Sequence, residues 1–384
     1  MMPPTARPSF TRDGALIVVP VLLLLAGIMV RYVAYLSINP LGSPPGFVDA
    51  MCVWDCYWYG DVASHGYQAY PETLNFGGPA GIANWAFFPL YPLLIAAIGK
   101  LGTVGPTMAG TVLSPLLTLG ATVCSWPLFD GNRRAHFLLS ALLLCGPFSF
   151  YFAVPYSESL FLLLTVLGLV ALRRGNFLAA GLVGGLLSAT RTVGVLFVFA
   201  VVVEIFLTLR AAGVTPRDMR REMLRRPVMV LAILTVPLGI FAFMGWLYLV
   251  VGDALAFAHI QRAWDRELVN PVTALWGALT SSGGQTRDSL LLGLASIAGL
   301  LLCGVLFLRR EFSAAVFSTL CLLLALTNGV ESMLRFVVAL APLNIALCRL
   351  LARWPWLFWV SALSFAALDF EWTIGWLRQQ GALM

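Results

Sequence analysis

GALIVVPVLLLLAGIMVRYVAYL, residues 14–36, decides the fold. The run is apolar almost throughout, and crossing a bilayer takes roughly 20 such residues. It follows Arg7 and Arg12 as a signal peptide would, but it continues to about Leu36 with no small-residue cleavage site. It therefore reads as a retained signal anchor with a cytoplasmic N-terminus. Comparable runs recur along the 384 residues, which are 60% hydrophobic and 11% charged. Soluble domains carry about a quarter charged residues. Inside hydrocarbon the backbone must satisfy its own polar groups, so continuous apolar runs imply helices. A β-barrel would instead alternate over short segments. The expectation is an all-α polytopic membrane protein.

The formal charge of +6 does not point to nucleic acid. The cations sit between apolar runs, at Arg133-Arg134, Arg173-Arg174, Arg210 to Arg226 and Arg309-Arg310. That is the positive-inside pattern, and it orients the helices. With those loops cytoplasmic, about eleven spans alternate across the membrane. The chain then forms a single transmembrane domain, 1–384, with a long first extracytoplasmic loop at 37–105, a basic cytoplasmic loop at 210–227 and a second extracytoplasmic loop at 252–287. The 86–99 segment carries Pro89 and Pro92 and is short for a span. It reads as a juxtamembrane helix within the first loop. The basic loop is a topology determinant in contact with anionic membrane lipids.

On this topology the polar residues Asp55, His65, Glu158, Arg191, Asp253, Gln261, Glu331 and Arg335 all fall on outer connections. Ionisable groups at the membrane boundary are costly, so their convergence on one face predicts a single external pocket. The first loop surrounds Asp55 with Trp54, Trp58 and Tyr59. Such rings stack on sugar faces or form the aromatic belt of the interface. A carboxylate among them would serve as a general base. Arg335 would grip a lipid phosphate through paired hydrogen bonds or form a salt bridge to Glu331, four residues earlier. Arg191 divides in the same way between phosphate and Glu158. His65 would make a structural hydrogen bond or contact substrate, and Asp253 would cap a helix. Gly181, Gly184 and Gly185 would let helices pack closely.

The cysteines form no framework. Cys52 and Cys56 share the first loop, where an oxidising compartment would permit a disulfide, but the narrow geometry of that bond at this spacing favours free thiols. No Asp-x-Asp pair or Cys/His metal spacing is present, so no metal or cofactor is expected.

Six blocks in order resemble the GPI mannosyltransferase II family, called PIG-V, and its bacterial relatives. They are WDCYWY with HGY, AFFPLYP, FSFYFAVPYSESLFLLL, LSATRTVGVL, GDALAF with QRAW, and ESMLRFVVALAPL, running from Trp54 to about Leu343. The resemblance implies a GT-C type helical bundle and an inverting glycosyltransferase, a mannosyltransferase acting on the extracytoplasmic face; high Arg, Ala and Gly usage with a single Lys suggests a GC-rich bacterium and hence the plasma membrane. The donor would be a polyprenyl-phosphate-linked sugar and the acceptor a lipid or glycan. The family's acidic base maps to Asp55, and Arg335, then Arg191, would bind the donor phosphate. Trp54, Trp58, Tyr59, His65, Glu158, Gln261, Trp264 and Glu331 would line the sugar or acceptor sites. There are two departures: Cys56 and Tyr57 stand where many relatives have a small or acidic residue, which bears on the acceptor pocket, and Arg191-Thr192 replaces a common Arg-Pro. The rival readings are a transporter or lipid flippase, and a non-catalytic subunit of a glycosylation complex. The one-sided distribution of polar residues argues against alternating access, which uses midplane sites.

Overall fold

The computed structural model describes residues 14–41, 43–71, 81–264, 268–280 and 287–383. Arg7 and Arg12, and the loop segments 72–80, 265–267 and 281–286, lie outside the described residues. Within them the chain forms helices joined by 3-10 turns and loops, with no strand. The protein is an all-α, multi-span membrane bundle.

Among the described residues five helices are long and apolar enough to cross a membrane, namely Ala15–Ile38, Pro106–Cys124, Thr192–Ala211, Asp288–Leu308 and Pro355–Leu377. Two bent pairs, Pro227–Thr235 with Leu238–Val251 and Met333–Ala339 with Ala341–Leu351, raise the count to seven. This corrects the expected eleven or so. The other expected spans are helices too short to cross alone, such as Arg133–Cys145, Glu158–Arg173, Phe177–Ser188 and Phe312–Leu326. Their apolar runs are interrupted by 3-10 turns, as at Ser149–Phe152, so a continuous hydropathic run is not one continuous rod. The 86–99 segment becomes a 3-10 turn at Asn84–Ala86 followed by a helix at Leu90–Gly102, below span length as expected.

The Ala15–Ile38 helix packs between Arg133–Cys145 and Pro355–Leu377. At Gly27 it approaches so closely that a Cβ would sit 1.9 Å from the Leu144 carbonyl oxygen. We expect Gly27→Ala to lower stability by about 1–3 kcal/mol, the usual cost of overpacking. Thermal unfolding in detergent measures this, and an unchanged melting temperature would refute so close an approach. Gly181 behaves likewise, since a Cβ there would meet Ala232 Cα at 2.5 Å. The small residues at 181–185 thus serve helix packing, as the sequence suggests.

A buried polar group joins the first and last helices. Arg31 and Asp369 are 2% and 0% exposed, and Arg31 Nη1 lies 3.2 Å from Asp369 Oδ2. Ser149 completes the group, accepting from Arg31 Nη1 at 2.6 Å and donating to Asp369 Oδ1 at 2.9 Å. Elsewhere, Arg173 pairs with Asp130 and Arg349 with Glu311. Arg349 Nη2 also lies 3.6 Å from Asp130 Oδ2, so the connections around residues 130, 173 and 311 are tied to the Ala341–Leu351 helix.

Candidate active site

Asp55 opens the helix Asp55–His65, and Trp54 before it has φ 50° and ψ −114°. A bulky residue rarely adopts that backbone, so surrounding contacts must hold the turn. Two are evident. The Tyr156 hydroxyl accepts from the Asp55 backbone N–H at 3.3 Å and donates to the Val53 carbonyl at 3.0 Å. The Trp54 ring sits edge-on to the buried Trp376, with centroids 4.8 Å apart. Cys52 and Cys56, bracketing the turn, are joined in a disulfide. The free-thiol expectation fails because the two residues do not share one helix. Cys52 ends the short helix Phe47–Met51 in extended conformation, and the chain then reverses into the next.

The turn delivers the Asp55 carboxylate to Arg335, whose Nη1 donates to Oδ2 at 2.6 Å. Arg335 rides on the short first half of the bent pair, Met333–Ala339. Its guanidinium also lies over the Tyr156 ring, 5.3 Å from the centroid. Arg335 Nε is 2.9 Å from Glu158 Oε1, an ion-pair distance. The N–H is not aimed at that oxygen, so Nε and the second Glu158 oxygen, Oε2, are buried with no hydrogen-bond partner. Glu158 Oε1 is also paired with Arg191. Two acids and two arginines therefore form one continuous chain, Asp55–Arg335–Glu158–Arg191. The salt bridge to Glu331 weighed for Arg335 does not form, whereas the Arg191–Glu158 pair does. Tyr59 supports the same cluster by donating to Ser157 Oγ at 2.7 Å. Burial, and then the Glu158 charge, push the Tyr59 phenol well above its ordinary pKa, so it stays protonated and remains a donor.

One face of this chain is open to a cavity of about 840 Å³. Of the residues singled out in the sequence, Trp54, Asp55, Trp58, Tyr59, Arg191, Gln261, Trp264, Glu331 and Arg335 line it. Its aromatic wall is built from Trp58 stacked on Phe87 at 5.7 Å, with Trp264 edge-on to Trp58 at 5.9 Å. Glu158 lies behind the wall, 1% exposed, as the counter-ion of both arginines. His65 is turned away from the cavity. Its side chain is 77% exposed and bonds Asp61 at 3.0 Å, the structural role rather than the substrate contact. Asp253 accepts from the Leu255 N–H, a local cap, and pairs with His259.

Phe87 and Arg262, which fall within the AFFPLYP and QRAW blocks but are not among the site residues singled out from the sequence, also line the cavity. Arg262 stands directly between the two residues chosen from its block. No side-chain ion pair engages it among the described residues, whereas both buried arginines already have acidic partners. No group of three His, Cys, Asp or Glu side chains among the described residues could hold a metal ion.

The bundle has known counterparts. It superposes on the archaeal oligosaccharyltransferase AglB from Archaeoglobus fulgidus, solved with an inhibitory peptide and a dolichol-phosphate, at a TM-score of 0.52 and 14% identity. That match covers 97% of this chain and 56% of the other. It also superposes on ArnT from Cupriavidus metallidurans bound to undecaprenyl phosphate, at a TM-score of 0.53 and 16% identity, covering 92% of this chain and 62% of the other. The fold is of the GT-C type. The chain spans between half and two thirds of those proteins, and what it shares with them is the helical architecture. No protein-family model matches the chain, and no curated protein matches it in sequence.

Proposed function

We propose that the protein is an inverting glycosyltransferase that moves a sugar from a polyprenyl phosphate to a lipid or glycan hydroxyl on the extracytoplasmic face of the membrane. One observation carries the reading: a carboxylate and a guanidinium, Asp55 and Arg335, are held together at an aromatic-walled cavity in a GT-C bundle. The lipid phosphates named with the two superposed proteins support this donor class. Mannose as the sugar, and the PIG-V branch of the family, rest on the six sequence blocks. The Cys52–Cys56 disulfide supports an oxidising, outward location for this end of the bundle.

In the proposed step the acceptor oxygen attacks the anomeric carbon as Asp55 takes its proton. Oδ2 is engaged by Arg335, which leaves Oδ1 for the acceptor. The bond from the anomeric carbon to the phosphate oxygen breaks on the opposite face, inverting the centre, and the lipid phosphate departs with the bonding pair. A guanidinium has five donors in a fixed fork. Arg335 spends one on Asp55 and keeps others for the charge developing on the leaving oxygen. Trp58, Phe87 and Trp264 offer ring faces and edges to the sugar.

The test is transfer from radiolabelled polyprenyl-phosphate mannose by purified protein, with native lipid extract as acceptor. Label should move to an acceptor with wild type, and Arg335→Gln should lower turnover by about 10²-fold, the cost of one transition-state donor. Vectorial movement of lipid in proteoliposomes without any sugar transfer would overturn the reading in favour of a flippase. Unchanged cell-surface glycans after Asp55 is replaced would favour a non-catalytic subunit.

A further inference from the structure

We infer that the Cys52–Cys56 disulfide is a positioning clamp that sets the Asp55 carboxylate for proton abstraction. The inference rests on the proposed sugar transfer. The bond encloses only Val53, Trp54 and Asp55, so it spans the one turn that carries the base. Disulfides gain more from loop closure as the enclosed chain lengthens, and a loop this short gains little. Its effect is therefore local.

What it constrains locally is unusual. Trp54 holds a backbone conformation, φ 50°, that its side chain disfavours, and that conformation rotates Asp55 out of the path of the preceding helix and into the cavity wall. The turn is fixed on both sides. The buried disulfide, with Cys52 and Cys56 at 2% and 1% exposed, crosses it covalently, while Tyr156 bridges the Val53 carbonyl and the Asp55 N–H from within. Without the bond, the turn would be held only by the non-covalent contacts of Tyr156 at 3.0–3.3 Å, Arg335 at 2.6 Å and the Trp376 ring against Trp54. Proton abstraction is sensitive to displacement of the base on the scale of 1 Å. Cys52 and Cys56 thus act through Asp55 rather than on substrate.

The test uses the full-length protein in lipid nanodiscs, wild type beside the Cys52→Ser, Cys56→Ser double variant, with kcat and donor KM from polyprenyl-phosphate mannose. The clamp predicts a kcat at least about tenfold lower per folded molecule. It also predicts a donor KM within about twofold of wild type, because Arg335, the proposed phosphate ligand, is held by Glu158 as well as by Asp55. A merely structural bond would lower the folded fraction and leave kcat per folded molecule unchanged, which overturns the clamp.

Should the double variant fail to fold, wild type is titrated with a phosphine reductant. Each aliquot is assayed, then quenched with an alkylating reagent and mapped by peptide mass. Activity lost in step with labelling of Cys52 and Cys56, and not of the other five cysteines, supports the clamp. Full activity with both thiols free overturns it. Absence of transfer by unreduced wild type overturns the glycosyltransferase reading, and the clamp with it; transfer by wild type with an undiminished kcat after the bond is lost overturns the clamp alone.

Discussion

Asp55→Asn should fold, insert and bind donor, and should transfer sugar about 10²- to 10⁴-fold more slowly than wild type, the range a general base supplies. The amide keeps the shape of the carboxylate but cannot accept the acceptor's proton. Arg335 retains Glu158 as an acidic partner, shared with Arg191, so the substitution does not strip it of every counter-ion. The discriminating comparison is rate against binding. Donor affinity within a few-fold of wild type together with lost turnover assigns Asp55 to the chemical step. Retained turnover would remove Asp55 from that role and pass it to Glu331, the other carboxylate lining the cavity, because Glu158 is buried behind the cavity as the partner of two arginines.

The second large effect concerns stability. Asp369→Ala leaves the Arg31 guanidinium buried among helices with Ser149 as its remaining side-chain partner. Removing one member of a buried ion pair costs about 3–5 kcal/mol, most of it from the stranded charge. Replacing both members, as Arg31→Met with Asp369→Leu, should recover much of that loss, because apolar substitutes of similar volume offset the pair. Thermal unfolding of the single and double variants in detergent measures the difference. Equal destabilisation by both would mean that the charges matter individually rather than as a pair. Neither residue lines the cavity, so turnover per folded molecule should be unaffected.

Much of the site was legible because its residues carry chemistry that a membrane boundary makes expensive. Asp55, Arg191 and Arg335 stood out as charged side chains at the ends of apolar runs, and the cavity gathers all three. The Arg191–Glu158 pair could be anticipated because the two lie on facing connections 33 residues apart. The partner of Arg335 could not. Local spacing offered Glu331, while the true partner, Asp55, is 280 residues distant and reaches it only when helices from both ends of the chain are assembled. Arg31 and Asp369 escaped notice for the same reason. Arg31 is a solitary charge in a long hydrophobic run, Asp369 has only Glu371 near it in another, and their pairing across 338 residues leaves no periodic trace. The span count failed differently. Apolar content measures how much chain prefers lipid, but not where 3-10 turns and bends cut that chain into pieces, as at the 74° break between Met333–Ala339 and Ala341–Leu351.

The long separation between Asp55 and Arg335 also orders events during biosynthesis. Glu158 opens the helix Glu158–Arg173 and Arg191 lies in the connection just after the next helix, so the two can neutralise each other soon after both emerge. Asp55 must wait for the ribosome to add another 280 residues before its counter-ion exists. At 5–20 residues per second that interval is roughly 15 to 55 s. Nascent chains arrested on either side of residue 335 should therefore differ in the access of aqueous probes to Asp55, and equal access would show that Arg335 is not what encloses it. The Asp55–Arg335 pair is thus also among the last contacts a newly made molecule can form, so a chain cut short before Arg335 inserts without ever completing the cavity wall.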